Sequence, residues 1–407
     1  MRKKEILILL ILALMATNCA TPKKSKKTMP ARPDLMNITD DSRFIAEFEN
    51  LLIKEQSREL PAEAVFRYFD LNLFAAEAQF QRAFELVKKL DQRTETALML
   101  NNIAWRFRGE EAWFDRLLHI SQFAVSLSDI SKFVKLDESR IYYPVDASVE
   151  LKYWANIHDT FAWYLVKNGE KSRALEIYDK ILKHYEQKEI YYNYAELLHS
   201  LNRRENALRA AIRAMELSPS DTDAELLLRY YAREMAYTED AASAMVLNAR
   251  DAGYGLLAAE LKASETQQPL PFFQLQTLDG SQISSELYSG SAKIIIIWNL
   301  NCESCIQLLS NIESAYQVQL GRSDSDLLTI SSEKESDNTQ YLIRQNDYSF
   351  PVYFGGKYLK DLGIDHVPVI IITDTSDTIR YRLKGVRYLR ELQAVIHLAL
   401  QSITSLP

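Results

Sequence analysis

Glycine is spread so unevenly along this chain that it divides the fold before any motif is read. Only Gly109 and Gly169 fall between residues 34 and 249, whereas nine glycines lie in the 155 residues from Gly253 onward. Glycine weakens a helix interior by about 0.5–1 kcal/mol and is the default residue at turns that need a positive φ. The long glycine-poor stretch therefore predicts helix after helix, and the glycine-rich remainder predicts strands, turns and helices in alternation. The change falls near residues 251–270, where Gly253, Gly255, Pro269 and Pro271 cluster. With 407 residues the chain has room for two or three domains. Its 47% hydrophobic and 25% charged residues exclude disorder throughout and a polytopic membrane protein. A net charge of −7 argues against a nucleic-acid-binding body.

The charge is as uneven as the glycine. Residues 1–33 hold eight Lys/Arg and one acid, Glu5, so they carry +7 and leave −14 for the rest. Arg2-Lys3-Lys4 is followed by an unbroken apolar run from Ile6 to Met15. Such a run rises about 15 Å as a helix, half a bilayer core, so it has the size of a signal-peptide segment and not of a spanning helix. Leu14, Ala16, Thr17 and Cys19 resemble a bacterial lipoprotein signal, with Asn18 standing where Gly, Ala or Ser is usual. The resemblance implies removal of residues 1–18, lipidation of Cys19, and a bacterial cell-envelope location facing the periplasm or exterior. An ordinary cleaved signal or N-terminal anchor, with Cys19 incidental, is the alternative. Residues 19–39 then read as a basic tether, rich in Pro and Lys up to residue 33. Its charges can lie against anionic headgroups or be simply solvated.

Residues 40–255 repeat. Ala174, Tyr178 and Ile181 recur as Ala207, Ala211 and Ala214, a shift of 33 residues, and Pro219 closes the second copy. Small residues at that spacing let two antiparallel helices approach closely, and the proline stops the second. Phe161-Ala162-Trp163-Tyr164 and Tyr191-Tyr192-Asn193-Tyr194-Ala195 supply an aromatic first helix for each unit. Period, small positions and terminal proline resemble tetratricopeptide repeats. Leu100 to Trp105 and Ser121 to Ser126 read as an earlier pair, residues 129–148 as an insertion, and Asp221 to Arg250 as a degenerate third unit or cap. A non-repeating helical bundle is the alternative. The resemblance implies a face for a protein partner, which the tyrosines could line, although tyrosines in such helices more often serve core and inter-helix packing. His119, His158, His184 and His199 share no metal-ligand spacing and read as structural or surface residues.

From Pro269 the pattern changes to strands. Phe272 to Leu278 alternates and ends at Asp279-Gly280, a hairpin signal. Lys293 to Trp298 is an apolar run of the kind that fills a central strand covered on both faces. Asn299-Leu300-Asn301-Cys302-Glu303-Ser304-Cys305 follows at once, and a helix with an apolar stripe of Cys305, Leu308, Leu309, Ile312 and Tyr316 begins there. This places Cys302 at a helix N-terminus, where unpaired amides and the helix dipole stabilise a thiolate. Cys305 falls one turn on, shielded, within disulfide reach. One thiolate can attack a disulfide in a substrate and the other resolve the mixed disulfide. Further strands are expected at Asp326 to Ser331, Val369 to Thr373 and Thr378 to Leu383. Helices are expected at Asn338 to Asn346, up to Leu362, and at Leu389 to Leu400.

This β-α-β-α-β-β-α order resembles thioredoxin. More closely, residues 268–407 resemble the exported, membrane-anchored TlpA and ResA type of thioredoxin-like protein. The likeness rests on Asp279-Gly280, Trp298 four residues before Cys302, the Cys-x-x-Cys, Phe350-Pro351, Gly363-Ile364, Val367-Pro368 and Gly385. It implies Cys302 as nucleophile, Cys305 as resolving thiol, Pro368 as a cis-proline beside them and Trp298 beneath the loop. Asn301 stands where that family has Trp, and Glu303-Ser304 replaces the common proline. Glu303 opposes a thiolate at Cys302, which predicts a raised thiol pKa and a reducing couple. His366, two residues before Pro368, either approaches Cys302 or lies on a surface loop. Metal binding needs two ligands more than one Cys-x-x-Cys offers.

The chain is thus expected to be multidomain, an all-α tetratricopeptide-like repeat followed by an α/β thioredoxin-like fold. The expected function is a membrane-anchored thiol:disulfide oxidoreductase acting on protein thiols or disulfides, with no cofactor beyond the Cys302–Cys305 disulfide and no nucleic-acid partner. The rival reading is a non-enzymatic scaffold lipoprotein whose cysteine pair is structural or vestigial.

Overall fold

The computed structural model describes residues 35–54, 60–90, 93–128, 149–300, 302–320, 324–333, 337–364 and 367–404. Cys19 and the leader, the 129–148 insertion, Asn301 and His366 lie outside the described residues. The described residues divide into two compact units, those up to residue 186 and those from residue 187.

Among the described residues the first unit is helical. It comprises α1 (Asp41–Lys54), α2 (Ala62–Asn72), α3 (Glu77–Lys88), α4 (Arg93–Arg106), α5 (Phe114–Leu127), α6 (Val149–Lys167) and α7 (Lys171–Leu182), with single 3-10 turns at Leu35–Asn37 and Glu111–Trp113. Neighbours in sequence pack together, α2 on α3, α4 on α5 and α6 on α7. The core is aromatic. Phe44, Phe48, Tyr68, Phe69, Phe80 and Phe84 are all buried, and the Tyr164 hydroxyl crosses from α6 to donate to the Ala104 carbonyl at 2.7 Å. Tyrosine here packs the interior. Of the histidines, His158 is buried with its Nδ1 2.9 Å from the Trp154 carbonyl. Burial lowers its pKa to about 4.

The second unit opens with α8 (Lys188–Ser200), α9 (Arg204–Leu217), α10 (Thr222–Glu234) and α11 (Glu239–Ala263). Ala207, Ala211 and Ala214 of α9 are fully buried, as are Ala174, Tyr178 and Ile181 of α7. The repeated small positions are therefore contact positions. One expectation changes at α11, which runs through Gly253 and Gly255 instead of breaking there. A Cβ at Gly253 would sit 2.6 Å from the Glu216 carbonyl oxygen and 3.0 Å from Pro219 Cβ. The glycine serves the close approach of α11 to the end of α9.

Ser264 alone separates α11 from β1 (Glu265–Pro269), a polar strand that no hydrophobic alternation announced. Then come β2 (Gln274–Thr277), β3 (Gln282–Ser284), β4 (Ala292–Trp298), α12 (Glu303–Gln307), α13 (Leu309–Gln319), β5 (Ser325–Ser331), α14 (Asp337–Gln345), β6 (Val352–Phe354), α15 (Gly356–Asp361), β7 (Val369–Thr373), β8 (Thr378–Lys384), α16 (Val386–Arg390) and α17 (Leu392–Thr404). The strands form one mixed sheet in the order β1-β8-β7-β4-β5-β6-β2-β3. β4 and β5 are parallel, as are β5 and β6, while β4 and β7 are antiparallel. Every residue of β4 is buried. Its Ile294, Ile296 and Trp298 join a core with α13 and α17, and its Ile295 and Ile297 join the core beneath α15 on the opposite face. Leu257 and Leu261 of α11 belong to the first of these cores.

Two helices expected as continuous are interrupted. The helix after Cys302 breaks at Leu308, where φ is −107° and ψ 9°. The C-terminal helix starts earlier, at Val386, and is interrupted at Glu391, whose carboxylate leaves the helix to meet donors outside it.

Candidate functional site

β4 is held on both faces and delivers its C-terminal end, Trp298, into the loop that carries the cysteines. Trp298 is fully buried in the core that also contains Cys305. Cys302 is the N-cap of α12, and Cys302 Sγ accepts the Cys305 amide at 3.1 Å. Its carbonyl accepts from the Cys305 and Ile306 amides at 2.9 and 3.1 Å. The sulfur of Cys302 thus shares the Cys305 amide with its own carbonyl at the start of α12. Cys302 is half-buried and Cys305 fully buried. The two are joined in a disulfide with Cα atoms 5.1 Å apart.

The neighbouring strand brings the proline. Ile297 of β4 pairs with Val369 of β7, so Pro368, just before β7, is level with the end of β4. The Val367–Pro368 peptide is cis. Val367 and Cys302 both pack against the core that holds Trp298 and Cys305. The Gly385 amide donates to the Pro368 carbonyl at 3.0 Å, and Gly385 has φ of 107°, a region that favours glycine. Trp298, Cys302, Cys305, Val367 and Pro368 are thereby gathered at one end of the sheet. Glu303 is the first residue of α12. Asn301 and His366 lie outside the described residues.

Two residues that the motif reading passed over brace the loop. The Ser332 amide donates to the Trp298 carbonyl at 2.9 Å, and Asn299 Nδ2 donates to Ser332 Oγ at 3.1 Å. The Leu300 amide donates to Glu333 Oε1 at 3.2 Å. Burial raises the Glu333 pKa, opposed by that amide. Their signal in the sequence is position alone, at the carboxyl end of a strand parallel to β4, where open sheets place functional groups. Trp298 Nε1 and Asn299 Oδ1 are buried without a hydrogen-bond partner among the described residues.

Among the described residues no three or more of His, Cys, Asp and Glu are grouped to hold a metal ion. None of the described helices is long and apolar enough to cross a membrane. A half-exposed sulfur backed by a shielded one within bonding distance can carry two electrons as dithiol or disulfide.

No family model and no curated protein matches the chain. Solved structures similar to part of it include proteins described as thiol:disulfide interchange proteins and thioredoxins. StoA from Bacillus subtilis shares 22% identity over 30% of this chain and 96% of its own, with a TM-score of 0.26. A thiol:disulfide interchange protein from Chlorobium tepidum shares 20% over 33% of this chain and 97% of its own, with a TM-score of 0.30. The exposed lipoprotein thioredoxin of Streptococcus pneumoniae shares 20% over 33% of this chain and all (100%) of its own, with a TM-score of 0.28.

Proposed function

We propose that this chain is a lipid-anchored thiol:disulfide oxidoreductase of the bacterial cell envelope that reduces disulfides in proteins. The observation that supports it most is the placing of Cys302 as the N-cap of α12, its sulfur on the Cys305 amide at 3.1 Å, with Cys305 buried behind it. In the dithiol form the Cys302 thiolate attacks one sulfur of a substrate disulfide and expels the other as a thiolate. The Cys305 thiolate then attacks Cys302 Sγ and releases the second substrate sulfur. The substrate gains two electrons and two protons, and the chain is left with the Cys302–Cys305 disulfide, which a dithiol donor must reduce before the next turnover.

Pro368, which has no N–H of its own, stands in this reading beside Cys302 where a substrate segment approaches. In this reading Cys19 carries the lipid, residues 19–39 are the tether, and the tetratricopeptide-like helices of 40–255 engage a protein partner. No cofactor beyond the disulfide takes part.

Two measurements on the full chain test the reading. Reduction of insulin by dithiothreitol should accelerate with the wild-type protein and lose that acceleration in Cys302→Ser. Cys305→Ser should retain partner proteins through a mixed disulfide at Cys302. If the wild-type protein leaves insulin reduction at the background rate and Cys305→Ser holds no mixed disulfide, the pair is structural and the chain is a scaffold.

A further inference from the structure

Glu391, between α16 and α17, is 2% exposed. Its Oε1 accepts from Ser218 Oγ at 2.7 Å and its Oε2 from the Ser220 amide at 3.2 Å. Both donors belong to the turn between α9 and α10. A buried carboxylate met by a hydroxyl and an amide is a demanding arrangement, because each lost donor leaves charge uncompensated in a poorly solvated place. Two weaker ties flank it. Arg387 pairs with Glu260 of α11 at 2.6 Å, and Arg390 with Glu189 of α8 at 3.2 Å. These are partly exposed and screened by solvent.

On its other side α16 touches the cysteine site. Gly385, its N-cap, holds the Pro368 carbonyl at 3.0 Å. Asn311 Nδ2 of α13 donates to the Arg390 carbonyl at 3.0 Å. Tyr388 and Leu389 lie in the same core as Trp298 and Cys305. The helix that carries the cysteines, α12, is only five residues long. A helix that short does not hold itself together and takes its position from what it packs on; α12 packs on α16.

We infer that Glu391 is a positioning residue for the cysteine pair, fixing α16 against the α9–α10 turn so that α12 and the Pro368 loop keep the geometry the thiolate needs. Helices α8–α11 are then part of the redox device. The inference rests on the thiol:disulfide reading above. A loosened α16 lets α12 shift, and the Cys302 thiolate loses the amide that stabilises it. The same amide also meets the disulfide sulfur, but a hydrogen bond to a charged acceptor is the stronger one, so its loss moves the equilibrium toward the disulfide.

The test equilibrates the full-length protein with glutathione, in which the protein disulfide and two glutathione thiols exchange with the protein dithiol and one glutathione disulfide. The dithiol fraction is read by thiol alkylation for wild type, Glu391→Gln, Ser218→Ala and Asp377→Asn. Ser218→Ala removes one hydroxyl with little change of side-chain volume, and its melting temperature reads what that loss costs the fold. Asp377→Asn is a control that weakens the sheet elsewhere, at Lys293. The expected result is a shift of the equilibrium constant toward the disulfide, threefold or more, in Glu391→Gln and Ser218→Ala and none in Asp377→Asn. If the first two lower the melting temperature as the control does but leave the constant within 1.5-fold of wild type, Glu391 is merely structural and the inference is overturned. A wild-type pair that does not exchange with glutathione overturns the functional reading, and the inference with it.

Discussion

The Cys305 amide donates to Cys302 Sγ at 3.1 Å within the disulfide-bonded pair, so each cysteine contacts the other through backbone as well as sulfur. This donor would favour a thiolate at Cys302, and the sequence expectation is that a carboxylate at the next residue, Glu303, opposes one. The alkylation midpoint of reduced Cys302 with iodoacetamide should lie above the value of about 7 found for thioredoxin. Glu303→Gln should lower it. A wild-type midpoint well below 7, or one unmoved by Glu303→Gln, would refute the assignment of that opposition to Glu303.

Glu333 makes the second prediction. Its folded pKa is raised by burial, so between the ordinary carboxylate value and the raised one the folded chain binds more protons than the unfolded chain. Stability from this group is therefore present at low pH and declines as pH rises through that window. Glu333→Gln keeps an acceptor for the Leu300 amide but carries no charge. Its denaturation midpoint should gain on wild type as pH is raised from 4 to 8. A gap between the two that does not change with pH would contradict the burial argument.

Gly253 and Gly255 lie two residues apart in α11 and should respond in opposite directions. A Cβ at Gly253 meets the Glu216 carbonyl oxygen at 2.6 Å, whereas a Cβ at Gly255 meets nothing within 4 Å. Gly253→Ala should cost about 1–3 kcal/mol through forced displacement. Gly255→Ala should stabilise by about 0.5–1 kcal/mol through helix propensity. Thermal melts of the two variants decide it, and equal effects would show that α11 does not approach α9 as closely as described.

Lys293 is fully buried in β4 and pairs with Asp377 while donating to the Ser291 carbonyl at 3.2 Å. Asp377 has φ of 61°, which Asn also tolerates, so Asp377→Asn tests the charge without straining the turn. It should cost about 1–3 kcal/mol, because the buried Lys293 ammonium loses a charged partner that is itself partly exposed and screened by solvent. Lys293→Met, which removes the need for a partner, should unfold at a denaturant concentration close to that of wild type. If both variants are equally damaging, the pair and not the stranded charge carries the cost.

Much of the C-terminal part was legible because its chemistry is local. An isoleucine run announces β4, Asp279-Gly280 announces the hairpin, and the cysteine spacing fixes their place on a helix end. The strand β1 was not legible, since Glu265 to Pro269 is polar and takes its conformation from pairing with β8. Gly253 marks a close approach and not a helix end, and composition alone does not separate these uses. Glu391 and Glu333 were invisible for a related reason. Their partners Ser218 and Leu300 are distant along the chain, and nothing around an isolated glutamate in the sequence reveals what it will face.

The outer strands of the sheet have a bearing on how these molecules behave when crowded together. β1 forms one edge, where its register against β8 is irregular between Glu265 and Gln268 and its last residue is Pro269. β3 forms the other and is three residues long. An irregular strand ending in proline and a strand too short to guide another are both poor templates for a neighbour's backbone. Copies held at high local density are thereby discouraged from joining edge to edge into fibrils.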